Sequence, residues 1–158
     1  MFGIISTMTP KKEFYPILKD VRSLMEEYAE RKKHDYERLN YLCAISSYAV
    51  FHHLKKLDFD VSFCTNEGHA FNMVGDWYVD LTIRQFHSTY PLIYCSVEPC
   101  REPIDYLSHT SFQGKPIEIH TIQQQTTVDD KIFQLLEGWP SQQNPFFQLK
   151  ELDWVLNK

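Results

Sequence analysis

The chain has 158 residues, a length typical of one domain that can fold without disulfides or a structural metal. Hydrophobic residues make up 43% of the chain and charged residues 23%, which excludes a disordered protein, and the aromatic content of 15% predicts an aromatic-rich core. The net charge of −5 argues against a nucleic-acid partner, because such proteins bind phosphates through lysine and arginine.

Four cysteines are far too few for a disulfide scaffold, so we expect free thiols in a reducing cytoplasm. No stretch approaches the roughly 18 unbroken apolar residues of a membrane helix. The N-terminal sequence MFGIISTMTPKKEF has no charged segment ahead of an apolar one, which is not typical of a signal peptide. We therefore expect a cytoplasmic protein with no membrane partner.

Two helices are predicted in the first part of the chain. From residue 13 to about residue 33, apolar residues recur at spacings of three and four, which is typical of an amphipathic helix. A second helix is predicted from about residue 42 to residue 57, where Gly and Pro are absent and Asn40 is a candidate cap.

Short strands follow the two helices. They are predicted at residues 61–64, 69–74, 77–81, 92–97 and 116–122, with a surface loop between the last two. The dipeptide Gly75-Asp76 is a two-residue hairpin turn that joins the second and third strands. Two further helices are predicted at residues 128–136 and 147–156. This order indicates an α+β domain with N-terminal helices packed on an antiparallel sheet.

Three residues with complementary chemistry lie within residues 39–86. Cys43 lies at the start of the second predicted helix, His69 opens a strand 26 positions later, and Asp80 lies 11 positions further, on the next strand. A helix N-terminus favours the thiolate form of a cysteine, and a neighbouring imidazole favours it further and can carry a proton to a leaving group. A carboxylate on the other ring nitrogen fixes the tautomer and orientation of the imidazole.

The predicted hairpin brings the histidine and the carboxylate together. A turn centred on residues 75–76 places Asp80 opposite Phe71 and His69 opposite Thr82. His69 and Asp80 are then diagonal neighbours on one face of the sheet, within side-chain reach of each other. Asp80 also lies in an otherwise apolar strand, where a carboxylate requires a partner.

The order of these residues resembles that of the papain-like and transglutaminase-like cysteine enzymes, in which a helix-borne cysteine precedes a histidine and an aspartate on adjacent strands. The phrases GHAF and WYVDLTIRQF are similar to the His-Ala-aromatic and Asp-x-Thr patterns of that superfamily. The resemblance is to small bacterial or phage members and to protein-glutamine deamidase effectors. It implies that Cys43 is the nucleophile, His69 the general base and acid, and Asp80 the orienting carboxylate.

The resemblance leaves the oxyanion donors open. The sequence has neither the Gly-Ser-Cys-Trp-like surround of the papain nucleophile nor its upstream glutamine. The backbone N–H of Cys43 is the first candidate donor, and Asn40, Gln85 or another backbone N–H is the second.

The resemblance implies one papain-like domain, with an N-terminal helical segment at residues 1–38, a catalytic core at 39–86 and the remaining strands and helices at 87–158. It implies a thiol-dependent hydrolase or acyl-transfer enzyme that attacks an amide of a protein or peptide through a thioester. Glutamine deamidation, narrow-specificity proteolysis and transglutaminase-like acyl transfer share that step. No metal or other cofactor is expected, and an effector of this class is delivered from the cytoplasm to a host cell.

Other interpretations stay open. The same fold can be a non-catalytic binding module that sequesters a protein partner through its aromatic surface. Cys43 and His69 can each be ordinary core residues, since free cysteine is among the most buried residue types. A zinc site is the main rival chemistry, and its ligands would come from Cys95 and Cys100 with His87 or His109.

Overall fold

The computed structural model describes the chain at residues 9–33, 35–39, 41–66, 68–99, 106–107, 110–112 and 154–157. The strand predicted at residues 116–122 and the helix predicted at 128–136 lie outside these stretches. So does most of the helix predicted at 147–156, of which residues 154–156 are described and helical.

Helix α1 spans Lys11–Arg31 and follows Pro10, whose backbone is extended. Its buried side chains recur at helical spacing, and Phe14, Leu18 and Met25 among them are fully buried. The amphipathic helix predicted from the spacing of apolar residues is therefore confirmed, with each end displaced by two residues.

Helix α2 spans Cys43–Lys56. Every residue from Cys43 to Phe51 is buried, which is characteristic of a helix enclosed by other elements rather than lying on the surface. Leu42 occupies the N-cap position, and its side chain has no acceptor to offer to the N–H groups of the first turn. Asn40, the predicted cap, lies outside the described residues.

The described strands form one antiparallel sheet in the order β4-β3-β2-β1-β5. They are β1 (Val61–Asn66), β2 (His69–Val74), β3 (Trp77–Asp80), β4 (Tyr94–Ser96) and β5 (Thr110–Phe112). The first four are confirmed predictions whose bounds differ from the prediction by two residues at most. Strand β5 falls in a segment that the sequence predicts as a loop, and it pairs with β1 at one edge of the sheet.

Helix α2 packs against α1 and against strands β1 and β2, so the N-terminal helices lie on the sheet as predicted for an α+β domain. Side chains alternate between the two faces of each strand. Phe63, Val74 and Val79 join the core shared with the helices, whereas Phe71 belongs to a second buried cluster, formed by Cys64, Phe71, Ile83 and Tyr106. By the same alternation, His69 and Asp80 share the face of Phe71.

A buried asparagine ties α2 to the sheet. Asn72 lies on β2, and its Nδ2 donates to the backbone oxygen of Ser47 in α2 at 3.0 Å and to that of Ser62 in β1 at 3.1 Å. One side chain thus fixes the helix relative to two strands, because a buried amide must satisfy its donors. Within the described stretches, neither helix combines the length and apolar character that a membrane span requires.

Candidate functional site

The β2–β3 hairpin has the register predicted from its turn, with Val74 paired with Trp77 and Asn72 with Val79. His69 is the first residue of β2 and Asp80 is the last of β3, so both lie at the open end of the hairpin. Nε2 of His69 lies 2.6 Å from Oδ2 of Asp80. The predicted proximity of these two side chains is therefore confirmed.

Cys43 approaches the same imidazole from the helix layer. It is the first residue of α2, and its thiol lies near enough to the His69 ring to raise the pKa of that imidazole. Since Nε2 is engaged by Asp80, Nδ1 is the ring nitrogen left for the thiol. The imidazole therefore lies between the Asp80 carboxylate, which it bonds, and the Cys43 thiol near it.

Burial strengthens the electrostatic interaction between His69 and Asp80. His69 is 3% exposed and Asp80 is 1% exposed. Burial by itself lowers the pKa of His69, but the charge and hydrogen bond of Asp80, together with Cys43, outweigh it and raise that pKa to about 10. The site therefore favours an imidazolium paired with the Asp80 carboxylate.

Four donors satisfy the Asp80 carboxylate. Oδ2 accepts from His69 and from the Tyr106 hydroxyl, the latter at 2.7 Å. Oδ1 accepts from the backbone N–H of Thr82 at 2.8 Å and from its hydroxyl at 3.2 Å. These bonds offset the cost of burying a charge and prevent the carboxylate from rotating.

Thr82 and Gln85 extend this network. Thr82 lies outside the sheet, because β3 ends at Asp80 and Thr82 turns back to bind that carboxylate. Gln85 lies in the short 3-10 helix Ile83–Gln85, and its Nε2 donates to Thr82 Oγ1 at 3.0 Å. The structure thus connects Gln85 to Asp80 through Thr82, while its role as an oxyanion donor stays a prediction. Asn40, the other candidate, lies outside the described residues.

An aromatic ring covers the imidazole. Phe86 packs edge-on against His69, with ring centroids 5.2 Å apart, and Phe86 itself is 38% exposed. It therefore lies between the buried His69–Asp80 pair and solvent.

A buried arginine joins the segment before Cys43 to the end of β3. Arg22 of α1 is 3% exposed, and its Nη1 donates to the backbone oxygen of Leu81 at 2.6 Å. Its Nη2 donates to the backbone oxygens of Tyr36 and Glu37. Arg22 therefore fixes the residue next to Asp80 relative to the loop that leads to the thiol.

The backbone immediately before Cys43 is strained. Leu39 and Tyr41 have φ values of 53° and 67°, in the left-handed region that bulky residues rarely adopt. Such conformations persist only where the surrounding structure imposes them, and they concentrate at functional sites. The bonds from Arg22 to this loop provide part of that support.

Sequence reasoning missed Tyr106 and Arg22. An aspartate in an apolar strand predicts a partner, but a tyrosine 26 positions further along the chain carries no signal that links it to Asp80. For Arg22 the sequence does contain a signal. It lies on the apolar face of α1, at helical spacing from Leu18 and Met25, where a charged side chain requires buried acceptors.

Other features lie away from the triad of Cys43, His69 and Asp80. A cavity of about 540 Å³ between α1 and the end of α2 is lined by Ile17, Leu24, His53 and Leu57 among others, and none of the triad residues lines it. Among the described residues, no cluster of three or more His, Cys, Asp or Glu side chains could hold a metal. Cys100 and His109, candidates for the rival zinc site, lie outside the described residues.

Comparison with protein-family models, with curated proteins and with solved structures found no match for this chain. Functional inference therefore rests on the geometry of Cys43, His69 and Asp80.

Proposed function

We propose that this chain is a thiol-dependent hydrolase or acyl-transfer enzyme that acts on an amide of a protein or peptide. The observation that carries the proposal is that His69 bonds Asp80 at 2.6 Å through Nε2, while the Cys43 thiol at the start of α2 lies near enough to raise the pKa of the same imidazole. Thiol, imidazole and carboxylate in this order are what a cysteine nucleophile requires.

The first half-reaction forms a thioester. Cys43 Sγ, having passed its proton to His69, attacks the amide carbonyl carbon, and the carbonyl electron pair moves to oxygen. Collapse of this tetrahedral intermediate breaks the carbon–nitrogen bond, and the His69 imidazolium donates its proton to the leaving nitrogen. An acyl group remains on sulfur, and ammonia or an amine leaves.

The second half-reaction returns the thiol. His69 removes a proton from water, the hydroxide attacks the thioester carbonyl, and the carbon–sulfur bond breaks as the carboxylic acid forms. Deamidation releases ammonia first, proteolysis releases an amine-bearing peptide, and acyl transfer replaces water with an amine. Asp80 keeps the ring oriented through both halves.

The start of α2 supports charge stabilisation at the oxyanion. As the first residue of the helix, Cys43 has an N–H with no acceptor within the helix, and the Leu42 side chain cannot cap it. This N–H lies beside its own sulfur, so it is our first oxyanion donor. No cofactor enters the proposed reaction.

The element order supports a papain-like or transglutaminase-like fold. A thiol at the start of a helix precedes a histidine and an aspartate on neighbouring antiparallel strands, with the helix packed on the sheet. This arrangement agrees with the resemblance carried by GHAF and WYVDLTIRQF.

Mass spectrometry of exposed proteins tests the proposal. A lysate is incubated with the wild type, with Cys43→Ala and with the control Cys95→Ala, a half-buried cysteine on β4. We expect covalent changes with the wild type and the control that disappear with Cys43→Ala. A mass gain of about one dalton at glutamine identifies deamidation, new peptide termini identify proteolysis, and new isopeptide links identify acyl transfer.

The alternative is a binding module that sequesters a protein partner. In that case the lysate proteins stay chemically unchanged, and Cys43→Ala retains the same bound partners as the wild type. This result would overturn the enzymatic proposal.

A further inference from the structure

The hydroxyl of Tyr106 and the imidazole of His69 share a single acceptor atom. Asp80 Oδ2 lies 2.7 Å from the Tyr106 hydroxyl oxygen and 2.6 Å from His69 Nε2. Two donors that compete for one carboxylate oxygen each reduce the electron density available to the other. The bond to Tyr106 therefore bears on the bond that orients His69.

The Tyr106 ring is held rigidly for this contact. It is fully buried, and its centroid lies 4.6 Å from that of Phe71, 5.9 Å from that of Tyr78 and 5.4 Å from that of Tyr94. These rings come from three neighbouring strands, β2, β3 and β4, on the face of the sheet that also carries Asp80. Aromatic contacts of this kind fix the position of the ring, and hence of its hydroxyl.

We propose that Tyr106 is a positioning residue of the proposed triad, whose hydroxyl holds Asp80 Oδ2 and thereby limits how strongly that carboxylate binds the His69 imidazole. The inference rests on the proposed function, because the tuning matters only if His69 exchanges protons with Cys43. An imidazolium held too tightly by Asp80 releases its proton poorly to a leaving nitrogen, so a second donor on Oδ2 assists turnover.

Two titratable groups face the His69 ring among the described residues. Cys43 approaches from α2 and Asp80 from β3, while Phe86 is apolar. The Tyr106 hydroxyl bonds the Asp80 carboxylate. A change at this hydroxyl therefore reaches His69 through the oxygen that the imidazole shares with it.

Tyr106→Phe tests the inference, because it removes the hydroxyl and keeps the ring in its aromatic cluster. Tyr78→Phe is the matched control, since Tyr78 stacks on Tyr106 without bonding the Asp80 carboxylate. The readout is the NMR titration of the His69 ring, identified by its loss in His69→Gln. We expect the pKa of His69 to rise by about half a unit to one unit in Tyr106→Phe and to stay unchanged in Tyr78→Phe.

A second variant decides the outcome if Tyr106→Phe fails to fold. Site-specific 3-fluorotyrosine at position 106 keeps the ring and the hydroxyl but makes the hydroxyl more acidic and a stronger donor. The pKa of His69 then falls. An unchanged pKa, or a shift of the opposite sign, in whichever of these variants folds would show that Tyr106 is only a packing residue and would overturn the inference.

Failure of the proposed function is recognised separately. If iodoacetamide does not alkylate Cys43 of the wild type faster than Cys95, the enzymatic proposal fails. The titration of His69 then still shows whether the Tyr106 hydroxyl changes how strongly Asp80 binds the His69 imidazole.

Discussion

His69 and Asp80 meet at the open end of the β2–β3 hairpin, with Nε2 and Oδ2 2.6 Å apart in a nearly solvent-free environment. The pair is diagonal rather than directly opposed, since β2 begins at His69 and β3 ends at Asp80 in a register set by the turn at residues 75–76. Because the carboxylate outweighs the effect of burial on the imidazole, the protonation of His69 depends on Asp80.

Asp80→Asn removes the charge while it keeps the shape of the side chain. We expect the pKa of His69 to fall from about 10 to near or below its ordinary value of 6.5, because burial then acts without the carboxylate. Because the imidazole is then mostly neutral at pH 7, it no longer stabilises the Cys43 thiolate, and alkylation of Cys43 slows by about tenfold or more. NMR titration and iodoacetamide kinetics measure the two effects.

The control is Asp76→Asn in the hairpin turn, which makes the same chemical change at an exposed site. We expect it to leave both measurements unchanged. If Asp80→Asn retains the wild-type pKa of His69 while folded, the carboxylate does not set the charge of this imidazole.

The same pair makes stability depend on pH. In the unfolded chain His69 loses its proton near 6.5, whereas in the folded protein it keeps it to about 10. The folded state binds more protons between these values, so the stabilisation is complete below pH 6.5 and declines as pH rises toward 10. For one proton, the free energy of unfolding declines by up to about 1.4 kcal/mol per pH unit.

Urea unfolding of the wild type and of His69→Gln measures this dependence from pH 6 to pH 9. The difference between the two proteins isolates His69, because the contribution of Cys64, whose pKa burial raises from 9.0 to about 12, is present in both and cancels. The difference in unfolding free energy should shrink as pH rises. A difference that stays constant over this range argues against an imidazolium in the folded state.

Local sequence signals were sufficient for the hairpin and its pairing. The turn dipeptide Gly75-Asp76 sets which residues oppose each other, and the two-residue period of strands then sets which side chains share a face. The contact between His69 and Asp80 follows from these two facts. The start of α2 at Cys43 likewise agrees to within a residue with the start predicted from the local sequence.

The remaining parts of the site depend on contacts between segments that are distant in the chain. Tyr106 reaches Asp80 because β4 and the aromatic rings around it place it there, and β5 is a strand only because β1 offers an unpaired edge. Neither follows from local periodicity. Arg22 is an intermediate case. Its position on the apolar face of α1 predicts that its guanidinium meets buried acceptors, but it does not predict which residues supply them.

Arg22→Lys should destabilise the protein, although the charge is conserved. A lysine cannot reproduce the fork by which Arg22 reaches the backbone oxygens of Leu81 and Glu37, so buried acceptors lose their donors. We expect a loss of about 3 kcal/mol in unfolding free energy, measured by urea titration. Lys12→Arg, a charge-conserving exchange at an exposed position of the same helix, should cost less than about 0.5 kcal/mol, and equal losses in the two variants would contradict the role of Arg22.

The rates at which the individual cysteines are alkylated show whether thiol activation or access to the reagent controls their reactivity. Cys43 is 5% exposed and Cys95 is half-buried, so a reagent guided by access alone labels Cys95 first. Burial raises the pKa of Cys95 to about 11 and that of Cys64 to about 12, which leaves both largely as unreactive thiols at pH 7. With His69 beside it, Cys43 should react at least about tenfold faster than Cys95.

Peptide mapping by mass spectrometry after timed exposure to iodoacetamide at pH 6.5 to 7 resolves the individual cysteines. His69→Ala should abolish the advantage of Cys43, because the imidazolium whose charge stabilises the thiolate is gone and the sulfur remains buried at the start of α2. Cys95→Ala should leave the rate at Cys43 unchanged. If Cys95 reacts first in the wild type, access rather than the contact with His69 controls thiol reactivity, and the paired arrangement of Cys43 and His69 does not activate the sulfur.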